Sequence, residues 1–173
     1  MEAPDCSAVA NVVVLPEPWG STLAQELVIE LGADLSERYG EASVDEIDHE
    51  MVDVEPADVA APRGAFLVAW LQVDGGDEQS VGCGAIRPSP FKGAAEIKRM
   101  YVRPEARGRG ISRTMLGALE DAARGLGYAR IVLESGVAQP EAMALYESEG
   151  YTPVEAFGAY RASPLSRCYE RHL

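Results

Sequence analysis

Residues 95–126 read AEIKRMYVRPEARGRGISRTMLGALEDAARGL. Ile97, Tyr101 and Val102 carry high β-propensity, and apolar residues sit among charged ones without helical spacing, so 95–102 reads as a strand that Pro104 stops. Beyond the turn, Ile111, Met115, Leu119, Ala122 and Leu126 recur at steps of three and four. They draw one apolar stripe along a helix whose other face carries Arg113, Glu120, Asp121 and Arg124, and Gly125 and Gly127 mark its end. Between strand and helix lies Arg107-Gly108-Arg109-Gly110-Ile111-Ser112. A helix N-terminus presents backbone N–H groups without intrahelical acceptors at the positive end of the dipole, and two glycines let a ligand approach that backbone closely. Such a turn suits a phosphate or pyrophosphate. Taken alone, Arg-Gly-Arg-Gly reads equally as a solvated turn; the strand before it and the amphipathic helix after it are the context that phosphate binding needs.

Working outward, 129–134 is a short strand with Ile131, Val132 and Leu133 in succession, as expected where both faces are covered. It should lie parallel to the 95–102 strand, joined through the helix as a right-handed crossover. A further helix opens at Pro140, where the missing N–H is harmless, and closes at Gly150. The tail, 157–170, suggests a last hairpin. On the N-terminal side, 64–73 and 81–87 are apolar and β-rich around Asp74-Gly75-Gly76-Asp77, an antiparallel hairpin. Cys83, between two glycines, reads as a buried small residue and not a nucleophile, since neither His49 nor His172 is near it in sequence. Residues 11–15 form a first strand ended by Pro16 and Pro18. From Ser21 a helix follows, with Leu23, Leu27, Leu31 and Leu35 at steps of four, broadened by Val28 and Ile29 and closed by Tyr39-Gly40. The acidic stretch 41–62 reads as a loop with at most a short helix around 45–52.

The 173 residues, 47% hydrophobic and 25% charged, suit one ordinary globular domain. The N-terminus is acidic where a secretory signal would be basic, and no apolar run approaches a bilayer's thickness, so a cytoplasmic protein without membrane contact is expected. Three scattered cysteines, Cys6, Cys83 and Cys168, imply a reducing compartment with neither a disulfide framework nor zinc, and no metal is implied elsewhere. Of the net charge of −13, residues 1–60 hold −14 (fifteen acids against Arg38) and the remainder +1. Bases gather at Lys98, Arg99, Arg103, Arg107, Arg109 and Arg113, where they would focus field on an anionic ligand. The acidic remainder disfavours a nucleic-acid partner. Most of that acidity reads as serving solubility.

Arg107, Gly110 and Ser112 fall on the acetyl-coenzyme A signature of the GCN5-related N-acetyltransferase (GNAT) superfamily, which the sequence resembles: Arg or Gln, two residues, Gly, one residue, then Gly or Ala. Ser112 departs from the last position. The 139–151 run is similar to the family's second motif, an Asn before a helix ending Leu-Tyr-Glu, two residues, Gly, aromatic; Gln139 stands in place of the Asn, and Leu145, Tyr146, Glu147, Gly150 and Tyr151 match. Phe157-Gly158-x-Tyr160 and Ser163-Pro164-x-Ser166 resemble the ending of a bacterial branch.

The resemblance implies an α/β (α+β) fold: a mixed sheet of six or seven strands, mostly antiparallel, with a splayed parallel central pair and flanking helices. It implies acetyl-CoA as co-substrate, held by Met100, Tyr101 and Val102 along the strand edge, by Arg107, Gly108, Arg109, Gly110, Ile111, Ser112 and Arg113 at the turn, and by Gln139. Tyr146 would protonate the leaving thiolate; alone it reads as a core aromatic. A backbone N–H near Met100 would stabilise the oxyanion. Glu96 stands where histone-type members carry their catalytic glutamate and is the candidate general base; a solvated strand carboxylate paired with Lys98 is the alternative. The implied reaction is acetyl transfer to the primary amine of a small molecule. A lysine or N-terminal protein acetyltransferase and a catalytically silent acyl-CoA-binding domain remain alternatives, and a homodimer is compatible with all three.

Overall fold

A computed structural model describes residues 11–40, 54–72, 76–158 and 161–173. The short helix expected around 45–52, and Tyr160 of the C-terminal pattern, lie outside these. Alternation along β2 (Ala65–Gln72) shows how the core is divided. Phe66 and Val68 pack with Leu27, Val28, Leu31 and Leu35 of α1 (Thr22–Tyr39), while Leu67, Ala69 and Leu71, one residue out of step, pack with Met115 and Leu119 of α2 (Ile111–Gly125). α1 therefore covers one face of the sheet and α2 the other. α2 seats closely because β3 (Glu78–Pro88) carries Gly84 beneath it, where a Cβ would stand 2.8 Å from a Leu119 methyl.

The remaining elements are β1 (Val12–Pro16), β4 (Ala94–Val102), β5 (Arg130–Gly136), α3 (Pro140–Ser148), β6 (Thr152–Val154) and β7 (Ser166–His172). One seven-stranded sheet runs β1-β2-β3-β4-β5-β7-β6, antiparallel except between β4 and β5. The final hairpin differs from expectation. Its arms are β6 and β7, with β7 inserted between β5 and β6, and 157–165 carries no strand among the described residues. β6 is an edge strand of three residues centred on Pro153, too short to show a period and tolerant of proline for that reason. α2 also departs from its helical wheel. Glu120, expected outside, is 6% exposed, and its Oε1 accepts from Tyr151 Oη at 3.0 Å and Arg171 Nη1 at 2.9 Å. Ala123 is fully buried where Ala122 was expected.

The central parallel pair separates after a short run. β4 and β5 pair only from Ala94↔Arg130 to Ile97↔Leu133. Beyond that point β4 has a bulge: Cys83 opposes Tyr101 and Ala85 opposes Lys98, so Arg99 and Met100 together face the single residue Gly84, and Arg99 takes a φ of 57°. The extra residue reverses the parity of the strand. Ala95 and Ile97 face α2, but after the bulge Tyr101 packs under α1 and Met100 turns toward the α2 side.

Candidate active site

The opened end of β4 borders a cleft of about 290 Å³ between α2, α3 and α1. Eight of the eleven residues expected to hold a cofactor line it: Met100, Tyr101, Val102, Arg107, Gly108, Ile111, Ser112 and Gln139. Gly110 caps α2 with φ 77° and ψ 4°, a left-handed geometry that favours glycine, and the first helical bond is Thr114 N–H to the Gly110 carbonyl. The N–H groups of Ile111, Ser112 and Arg113 precede that bond, so the helix supplies them no acceptor of its own, a geometry that suits an anion. A Cβ at Gly108 or Gly110 would meet nothing within 4 Å, so the turn is open to a ligand. Arg109 is exposed beside it. Arg113 instead turns to Glu149 and Ser148 at the end of α3.

The basic stretch is not left to a ligand alone. Arg103 forks onto Glu30 at 2.8 and 2.7 Å, and that hydrogen bonding raises its pKa further. Arg107 donates to Asp34 at 2.8 Å and to the Val102 carbonyl at 2.9 Å, with its guanidinium 5.9 Å from the Tyr101 ring centroid. Burial, then Glu30 and Asp34, push the Tyr101 phenol up to about 12. Part of the N-terminal acidity therefore serves to pair α1 with the turn. Asp34, Arg38 and Glu141, all absent from the sequence-based set, line the cleft and are joined by ion pairs. The Asp34/Arg38 spacing of four was the signal for them.

Tyr146, on α3, reaches the strand edge. Its residue is 6% exposed, and its Oη donates to Met100 Sδ at 3.7 Å, a weak acceptor that would yield to a stronger one. Burial pushes its phenol upward, so the hydroxyl keeps its proton throughout the neutral range. Tyr146, Met100 and Gln139 also line a narrow gap of about 50 Å³ where β4 and β5 part, together with Lys98 and Glu134.

Lys98 and Glu134 in turn line a polar cavity of about 390 Å³ that holds Glu96. Glu96 and Lys98, out of step with Ala95 and Ile97, project away from the α2 face. Glu96 is 4% exposed, accepts from Arg87 Nε at 2.9 Å and stands 3.7 Å from Lys98 Nζ. The pairing with Lys98 is as the strand period suggests, but the carboxylate is buried, not solvated, because Arg87 on β3 stands opposite it. Glu134 accepts from Ser166 Oγ at 2.5 Å. Cys83 is fully buried, its thiol 3.4 Å from the Arg99 carbonyl and pushed up to about 12 by burial, which fits a packing residue and not a nucleophile. Among the described residues no helix is long and apolar enough to cross a membrane.

Among the described residues the sheet is antiparallel but for the β4–β5 pair, which opens beside the glycine turn that starts α2, and this architecture is shared with acyl-CoA-dependent transferases. A sequence profile of the Acetyltransferase (GNAT) family matches residues 30–151, and the chain belongs to that family. It is 37% identical over 149 residues to a protein of Azospirillum brasilense named IAA acetyltransferase, covering 86% of this chain and 92% of that one. Among solved structures it is similar to a proposed acyl-CoA N-acyltransferase of Klebsiella pneumoniae, with a TM-score of 0.72 and 28% identity over 94% of this chain and 98% of that one. The PaiA N-acetyltransferase of Thermoplasma acidophilum, solved with coenzyme A, shares the fold at a TM-score of 0.66 and 16% identity, over 94% of this chain and 99% of that one.

Proposed function

We propose that this acetyltransferase moves an acetyl group from acetyl-CoA to the primary amine of a small molecule. The observation that carries the reading is the gap at the end of the Ile97↔Leu133 pairing, with the anion-binding cleft on one side and a polar cavity on the other. The residues fit the co-substrate: the open glycine turn and first-turn amides of α2 suit a diphosphate, and the edge of β4 past Ile97, unpaired by β5, suits an amide-bearing arm. When bound, acetyl-CoA supplies a thioester already activated toward amines.

The chain's own residues then have three tasks. The strand edge near Met100 holds the reacting carbonyl and offers a backbone N–H to the developing oxyanion. Glu96, the carboxylate implied by the resemblance, takes a proton from the amine on the polar side. Tyr146 Oη, 3.7 Å from Met100 Sδ, donates to the departing sulfur; with its pKa raised, it acts chiefly as a hydrogen-bond donor. The recessed position of Glu96 and Lys98, 4% and 6% exposed at the base of the cavity, supports a small acceptor over a polypeptide, as does similarity to a protein whose name gives IAA as what it acetylates. We further assign the whole chain to one cytoplasmic domain, with the Phe157-Gly158 and Ser163-Pro164 pattern marking its branch. The test is calorimetric titration with acetyl-CoA, followed by a screen of amino acids, polyamines, aminoglycosides and lysine peptides scored by release of free thiol. Binding without turnover on any amine would replace the transferase by a silent binder.

A further inference from the structure

At about 50 Å³ the gap where β4 and β5 part is far narrower than the spaces on its two sides, the cleft of about 290 Å³ and the polar cavity of about 390 Å³. Part of its apolar wall comes from α1, outside both signature motifs. Leu31 and Leu35 line the gap together with Met100 and Tyr146, the two residues between which the reading above places the thioester. The leucines stand one helical turn apart and each is 6% exposed, so they present side by side a bulk that close packing holds in place. Leu31 also lines the cleft, whereas Leu35 lines the gap and not the cleft.

Size decides what this space admits. At roughly 30 Å³ for each water-sized group it holds one or two of them, the scale of an acetyl group's methyl and carbonyl. Each further methylene of a longer acyl chain has two ways to go. Toward α1 it meets Leu31 and Leu35, whose displacement would disturb their packing with Phe66 and Val68. Toward the polar cavity it meets Lys98 and then Glu96, where an apolar chain strips water from charged groups and fills the space that the acceptor must enter. We infer that Leu31 and Leu35 set the length of the acyl chain that the protein accepts, restricting the donor to a two-carbon group, and that the limit follows the size of Leu35. The inference concerns the donor's acyl group and rests on the reading above that acyl-CoA binds in the cleft.

Calorimetric titration of coenzyme A, acetyl-CoA, butyryl-CoA and hexanoyl-CoA into the protein reads the limit without turnover. Wild-type affinity should fall by roughly 10-fold or more from acetyl-CoA to butyryl-CoA, because extra methylenes forced into a packed site cost about that much. Leu35→Ala should bring butyryl-CoA to within about 3-fold of acetyl-CoA, since the room it opens replaces the strain, while free coenzyme A binds as in the wild type. Leu35→Val keeps most of the packing and should move the preference the same way by a smaller factor, so the limit can be read even if Leu35→Ala does not fold. Leu27→Ala is the control. Leu27 is fully buried in the same stripe of α1 but lines neither the cleft nor the gap, so its loss should lower the thermal midpoint and leave the acyl preference unchanged. Equal wild-type affinity for acetyl-CoA and hexanoyl-CoA would overturn the length limit and leave cofactor binding standing. A preference unmoved by the Leu35 variants, or moved equally by Leu27→Ala, would overturn the assignment to these leucines. Failure of the wild type to bind coenzyme A in any form would refute the cofactor reading itself, and this inference with it.

Discussion

At Tyr146, packing and chemistry depend on different parts of one side chain. Its ring lies between Tyr151 and Tyr169, with centroids at 5.8 and 6.1 Å, so most of its burial belongs to the core, while its hydroxyl, among the described residues, meets a thioether. Tyr146→Phe should therefore unfold at nearly the wild-type urea concentration and bind coenzyme A as before, while kcat falls about 10-fold or more. Because burial raises the phenol, Tyr146 should contribute no limb to the rate profile near neutrality. A stability loss with full rate per folded molecule would make the hydroxyl structural. Glu96 differs, since both roles use the same carboxylate. Glu96→Gln should lower turnover by roughly 10²-fold and flatten the acidic limb. It should also cost about 1–3 kcal/mol in urea titrations, because Arg87 and Lys98 lose their buried anion. Full turnover in this variant would move the proton acceptor to Glu134 or to the acids before β2.

Between elements, two glycines govern the site's frame for opposite reasons. Gly110 has space but a left-handed backbone, so Gly110→Asp should fold at a cost of about 1–2 kcal/mol and then set a carboxylate at the proposed diphosphate site. Acetyl-CoA affinity should fall at least about 10-fold; an unchanged Kd in the folded variant would remove the turn from the site. Gly136, the last residue of β5, has no space: a Cβ there would stand 1.6 Å from the hydroxyl oxygen of Tyr39, the last residue of α1. This close approach sets the end of β5, past its pairing with β4 but still paired with β7, against α1. Gly136→Ala should lose about 1–3 kcal/mol by overpacking, and adding Tyr39→Leu should return most of it. Additive losses in the double variant would show that the two residues do not meet.

For the whole molecule, buried acidic protons set the response to alkali. Burial is the first cause raising Cys83, Tyr101, Tyr146 and Tyr151. Their folded pKa values therefore exceed the ordinary 9.0 of the thiol and 10.0 of the phenols. The unfolded chain releases these protons first as pH rises, so their contribution is full below about pH 9 and is lost above it, at up to about 1.4 kcal/mol per pH unit for each group. Urea midpoints should be level from pH 7 to 8.5 and decline by pH 10.5, with a shallower decline in Cys83→Ala. A level midpoint through pH 10.5 would contradict the burial of these groups.

Local order was legible because it repeats within a few residues. The strand, glycine turn and helix of 95–126 follow from β-propensity, Pro104, Gly108, Gly110 and a stripe of period 3.6, and these already place the turn at the start of α2 that we propose as the anion site. Family membership was legible too, since the turn and the Leu145-Tyr146-Glu147 run are contiguous motifs. What the tertiary structure decided depends on segments far apart in the chain. The bulge at Arg99 and Met100 is a mismatch between two strands, so nothing in β4 alone announces that Tyr101 will face α1 and Met100 will face Tyr146. Glu120 reads as a surface residue until Arg171 arrives from β7 to compensate its charge, and Glu96 reads as solvated until Arg87 stands opposite. Helical and strand periods report which way a side chain points from its own backbone. Whether a charge can be buried there is set by the partner that the fold delivers, and sequence spacing carries no record of that partner.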